Sequence, residues 1–165
     1  MVGKTHIAAG LAAGVGICIA KNIGLAPGAL FIAEAGLGAL LPDIDQRNST
    51  INKATKPVGV VINAVAGHRT IFHDPTLYMA LGVAAWLLVS QYMVYVVPLL
   101  VGIATHLFLD ALNPSGIPVL GFRLHLCNIH TGSSGDLFLG VLLRLAAEAG
   151  GLFWFGRHIY GLFAV

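Results

Sequence analysis

Five apolar stretches, at residues 7–20, 27–41, 76–89, 93–109 and 137–155, constrain this chain more than any other feature. Each is slightly shorter than the roughly 20 residues a helix needs to cross a bilayer untilted, so polar ends must count towards the spans. Read as one helix, residues 76–109 would run about 50 Å, against a hydrocarbon core of about 30 Å. That segment must break, and Ser90-Gln91 is the polar point at which it can, although no Gly or Pro marks a turn there. The expectation is an all-α, polytopic helical membrane protein. It has about five transmembrane or membrane-embedded helices in a single domain covering residues 1–165.

Composition agrees, since 57% of the residues are hydrophobic and only 10% charged, too few charges for the surface of a soluble domain. A net charge of +2 with scattered basic residues sets nucleic acid aside as a partner. The two cysteines, Cys18 and Cys127, form no Cys-x-x-Cys spacing or disulfide framework. Lys4 followed by an apolar run resembles a signal peptide, but Ala20-Lys21-Asn22-Ile23 lacks a small-x-small cleavage site, so the run reads as a retained first helix. Gly10 and Gly14 give that helix a small-xxx-small edge for close packing.

Two polar segments, 42–74 and 111–136, interrupt the apolar pattern. In the first, Pro57 can open a short interfacial or re-entrant helix over 58–66. In the second, Asn113-Pro114-Ser115-Gly116 signals a turn, and the loop continues to Thr131-Gly132-Ser133-Ser134-Gly135-Asp136. Threading five crossings puts both segments and the N-terminus on one side, with Lys4, Arg47, Lys53, Lys56, Arg69 and Arg123. Lys21 and Arg157 fall on the other, so the positive-inside rule makes the large loops cytoplasmic.

The same threading gathers the chemistry at that face. His6 opens helix one, Asp43 and Asp45 end helix two, His68 and His73 precede helix three, and His106 and Asp110 close helix four. His106 and Asp110, spaced i, i+4, lie one above the other on a helix and can reach one ion or two adjacent ones. Asp43-Ile44-Asp45 is read as an extended stretch. Imidazoles mixed with carboxylates, without thiolates, suit Zn²⁺ first and Mn²⁺ or Fe²⁺ next. Seven donors exceed one tetrahedral shell, so one or two ions are expected. An isolated Asp often merely caps a helix, and His125, His130 and His158 read as solvated or structural. Arg144 and Glu148 are expected to pair within helix five as a way of burying charge, and Glu34 to hydrogen-bond between helices.

These residues resemble the bacterial and archaeal family of membrane-bound metal-dependent hydrolases, often called YdjM-like. The matching pieces are Thr5-His6, Leu41-Pro42-Asp43-Ile44-Asp45, His68-Arg69-Thr70 through His73, Thr105-His106-Leu107-Phe108-Leu109-Asp110, Asn113-Pro114 with Gly116, and Thr131-Gly132-Ser133 with Asp136. The resemblance implies metal ligands at His6, Asp43, Asp45, His68, His73, His106 and Asp110. It departs at Phe72 and Asp74, which flank His73 where the family carries hydroxyl residues, and at Asp136, where Glu is common. It also supplies the word hydrolase, with an inner-membrane location.

The resulting expectation is a metal-activated water attacking a phosphoester or lipid-like substrate at the cytoplasmic membrane interface, with membrane lipid as the surrounding partner. Asp45, Arg69 and Asp74 are the candidate catalytic groups. Arg69 would stabilise developing negative charge, and Asp74 would add a ligand or orient His73. The competing expectation is a non-catalytic membrane protein whose metal site is structural and serves a regulatory partner. A transporter would instead carry its ionisable residues near the bilayer midplane.

Overall fold

The computed structural model describes residues 1–45 and 71–163, with side chains for 1–44 and 71–161. His68, Arg69, the expected helix over 58–66 and the side chain of Asp45 lie outside the described residues. Five α-helices form in chain order among the described residues: α1 (Gly3–Ala20), α2 (Leu25–Gly38), α3 (Pro75–Leu88), α4 (Met93–Ala111) and α5 (Ser134–Phe163). Three stretches are long and apolar enough to cross a membrane, Gly3–Ala20, Ser90–Ala111 and Ser134–Gly161, and α2 and α3 are shorter apolar helices. Their outward side chains are mostly apolar, among them Trp86, Leu88, Val94 and Leu152. A surface of this kind suits lipid rather than water. The chain is a helical membrane protein.

The expected break falls where the sequence placed it, as a 3₁₀ turn at Ser90–Tyr92 that folds α4 back beside α3. A second 3₁₀ turn, Leu41–Asp45, replaces the extended stretch expected for Asp43-Ile44-Asp45. Its cause is local. α2 ends at Gly38, Pro42 fixes a helical φ, and the Asp43 amide donates to the Leu40 carbonyl, so the chain tightens instead of extending.

α1 sits centrally, packed against α5, α2 and α4. Without a hydrophobic drive between helices in lipid, close approach depends on small residues. A Cβ on Gly10 would lie 2.5 Å from the Ala35 carbonyl oxygen, and one on Gly102 would lie 2.0 Å from the same atom. α1 and α4 thus both cross α2 at Ala35 and Ala39 with backbones nearly touching. At the far end, Trp154 of α5 lies over Gly28, and its indole N–H donates to the Ile23 carbonyl at 2.9 Å. Arg157 pairs there with Asn22.

One feature was not anticipated by an all-α reading. After α4, residues Ile117–Val119 (β1) and Phe122–Leu124 (β2) form an antiparallel hairpin, joined by Leu120 and Gly121, both at positive φ. Two positive-φ residues between paired strands give the twist a tight hairpin needs. Ile117 packs with Ile103, Leu107 and Ala111 of α4, and the Leu120 amide donates to Asp74 at 3.3 Å. The ribbon is therefore fixed at both the end of α4 and the start of α3.

Candidate metal centre

Each donor reaches the site because its element ends there. His6 lies in the first turn of α1, Asp43 in the 3₁₀ turn after α2, His73 just before α3, and His106 and Asp110 in the last turns of α4. All five are buried, His106 completely and His6 to within 1%. Asp110 lies between three imidazoles, with its Oδ1 3.3 Å from His6 Nε2 and its Oδ2 3.5 Å from Nε2 of both His73 and His106. Asp43 Oδ1 faces His73 Nε2 at 3.5 Å and His106 Nε2 at 3.8 Å. The Met1 amino nitrogen also touches Asp110, at 2.9 Å.

Two overlapping triads, His6-His106-Asp110 and Asp43-His73-His106, have the spacing to hold a metal ion. Donor separations of 3.3–3.8 Å are close to the edge of a coordination shell whose metal bonds are about 2.0–2.2 Å long. The buried nitrogens make the same case. His106 Nε2 and both ring nitrogens of His73 have no hydrogen-bond partner among the described residues. Leaving such groups unsatisfied in a core is costly. His106 Nδ1 is instead 2.7 Å from the Ala39 carbonyl, a contact in which the ring N–H donates and Nε2 is left with its lone pair directed at the cluster.

The charges are matched. Burial opposes a protonated His73, yet Asp110 and Asp43 outweigh it and push its pKa up to about 9. For Asp43, burial acts upward, but His73 first and then His106 and His6 hold the carboxyl below its ordinary value.

Asp74 does not join the converging donors. Its Oδ1 accepts from the Thr76 amide at 2.9 Å and the Thr76 hydroxyl at 2.6 Å, capping α3, while Oδ2 accepts from Leu120. The Thr76 hydroxyl is the main reason its pKa is lowered. Asp136 is likewise occupied. Fully buried in the first turn of α5, it accepts from the Val2 amide, the Thr5 hydroxyl and the Gly132 amide at 2.8–3.0 Å, holding α1 beside α5. Those bonds set the height of His6, one residue after Thr5.

His125 and His130 are exposed in the loop, and His158 Nδ1 contacts the Trp154 carbonyl on α5. Arg144 and Glu148 pair at 2.7 Å as expected, on the outer face of α5. Glu34 Oε2 has no hydrogen-bond partner among the described residues. A narrow polar opening beside the cluster is lined by His73, Asp110, Ser115, Gly116, Pro118 and Arg123. Arg123 is a residue that sequence reasoning counted only as a loop charge. On the lipid-facing side, an apolar groove of about 610 Å³ runs between α3 and α4 past Tyr78, Trp86 and Leu107.

Helices meeting at one polar end around buried His and Asp side chains define a membrane protein with a site that could hold a metal ion. The chain belongs to the YdjM inner membrane protein family, whose model matches residues 1–164. A Bacillus subtilis protein, YvsG, described as uncharacterized, is 35% identical over 127 residues covering 73% of this chain and 72% of its own. No solved structure matches the chain.

Proposed function

We propose that the chain is a membrane-embedded, metal-dependent hydrolase acting on a phosphoester or lipid-like substrate at the cytoplasmic face of a multi-pass protein. The observation that carries this reading is five buried donors in two overlapping triads that share His106, beside a small opening lined by His73 and Asp110. Structural metal sites close their shell with protein ligands, whereas catalytic sites keep a position free. The sequence threading, with six Lys and Arg in the N-terminus and the large loops against two on the other side, favours the cytoplasmic assignment. The neighbouring groove favours a substrate with an apolar chain.

The donor set suits Zn²⁺ best, then Mn²⁺ or Fe²⁺. When bound, such an ion supplies Lewis acidity and makes water a nucleophile near neutral pH. His106 spends Nδ1 on Ala39, leaving one nitrogen for one ion, and both triads use it. The described donors therefore furnish one shell, and a second ion would draw on Asp45 and His68. Asp74, by capping α3, positions His73, while Arg69 and Asp45 remain candidate catalytic groups.

The test is metal analysis of purified protein beside Asp110→Ala, followed by turnover of phosphoesters and phospholipids. Bound metal should drop in the variant, with affinity down at least about 100-fold, and turnover should require metal. Equal metal in both proteins would remove the site. Metal without turnover would favour a second reading, a structural ion, which the burial of His6 and His106 and the origin of the donors in three elements and the segment before α3 support.

A further inference from the structure

We propose that Arg123 binds an oxyanion, of the phosphate class, at the open side of the metal centre. This rests on the metal-site reading above and names the group that the site receives. Three observations carry it. First, Arg123 and its cross-strand partner Pro118 line the slot together with His73 and Asp110, so the cation shares a wall with two of the converging donors. Second, the guanidinium is held without being neutralised. One Nη donates to the Ser115 carbonyl at 2.7 Å, and among the described residues no carboxylate pairs with it, whereas Arg144 has Glu148. A guanidinium offers five N–H donors in a planar fork, so donors remain for a ligand.

Third, the mount is built. Ser115 is fixed by Asn113, whose side-chain oxygen accepts from its amide at 3.1 Å and its hydroxyl at 3.0 Å. Gly116, at a φ of 58°, lies so close to β2 that a Cβ would fall 2.4 Å from the Leu124 carbonyl oxygen. Asp74 anchors the hairpin tip from the other side. Leu120, Phe122, Leu124 and Leu126 leave apolar side chains exposed around this cation. That arrangement suits the headgroup layer of a bilayer, where an Arg meets phosphate and its neighbours meet acyl chains.

The test uses the full chain in detergent, loaded with Mn²⁺, with inorganic phosphate as probe and ³¹P line broadening as readout. Wild type should broaden the phosphate signal saturably. Arg123→Gln should retain the same Mn²⁺ and the same melting temperature but bind phosphate about tenfold or more weakly, the loss expected for a charge-assisted contact. Arg123→Lys, which keeps charge without the fork, should fall between them. Equal phosphate saturation in wild type and Arg123→Gln overturns the proposal, as does a Mn²⁺-loaded wild type that leaves phosphate sharp. A protein that holds no Mn²⁺ removes the metal centre itself and the proposal with it. In nanodiscs, displacement of phosphate by phosphatidic acid would identify a lipid headgroup as the source of the anion, and phosphate that stays bound would identify a soluble one. Both outcomes support an oxyanion site at Arg123.

Discussion

The imidazoles of His6 and His106 lie stacked, with ring centroids 3.8 Å apart and planes 16° from parallel. They come from helices a hundred residues apart in sequence, and Asp110 faces Nε2 of both. Because His106 is common to both triads, His106→Ala should cost more metal affinity than His6→Ala or Asp43→Ala. Equilibrium competition with a chelating dye would rank them. Equal losses would mean that His106 has no special place.

Metal binding should release protons. At neutral pH the metal-free protein keeps His73 protonated, since its pKa is raised to about 9. Loading must remove that proton, so affinity should climb from pH 6 to 9 and then level. Calorimetry in buffers of different ionisation enthalpy would measure the release. The same shift sets the stability of the metal-free protein. A folded pKa above the unfolded value of 6.5 contributes stability fully present below pH 6.5 and lost as pH rises through about 9. A metal-free melting temperature flat across that window would contradict this.

Saturating Zn²⁺ should raise the melting temperature, and chelation should reverse it. At 100 times the dissociation constant the stabilisation is about 2.7 kcal/mol. A thermal shift assay with and without chelator reads this directly, and no shift in a protein shown to bind Zn²⁺ would place the ion on the unfolded chain as well.

Asp136→Ala should destabilise the protein by about 2–4 kcal/mol, because it strands the Val2 and Gly132 amides and the Thr5 hydroxyl that Asp136 satisfies. It should also weaken metal binding modestly by freeing the end of α1 that carries His6. Detergent-titration unfolding and metal competition on one preparation separate the two effects.

Gly102→Ala should disturb the site from a full turn away, since its Cβ would collide with the Ala35 carbonyl and push α4, with His106, from α2. A cost of about 1–3 kcal/mol is expected. Gly16→Ala is the control, as no described residue lies within 4 Å of its added carbon. Comparable melting temperatures for the two variants would show that the crossing is looser than the geometry states.

The helices and the shared polar end could be read from sequence because membrane spans follow from run length and side-chain transfer energy alone. His6, Asp43, His73, His106 and Asp110 followed once the chain was threaded with a turn at Ser90. What escaped depended on contacts distant in sequence or on uncommon turn chemistry. Leu120-Gly121 is a poor hairpin signal, since Leu rarely adopts positive φ, so β1 and β2 went unseen and Arg123 looked like any loop charge. The extended reading of Asp43-Ile44-Asp45 overlooked the 3₁₀ turn Leu41–Asp45, in which Pro42 holds a helical φ. Asp74 sits before Pro75 and two residues ahead of Thr76, a pattern that signals the helix cap it forms.

The hydrogen bond from His106 to Ala39 ties a ring nitrogen to the backbone at the end of another helix. A change in how α2 meets α4, whether from bilayer thickness or a neighbouring protein, would rotate that imidazole directly. Affinity for an ion in this site would then report the mechanical conditions inside the membrane.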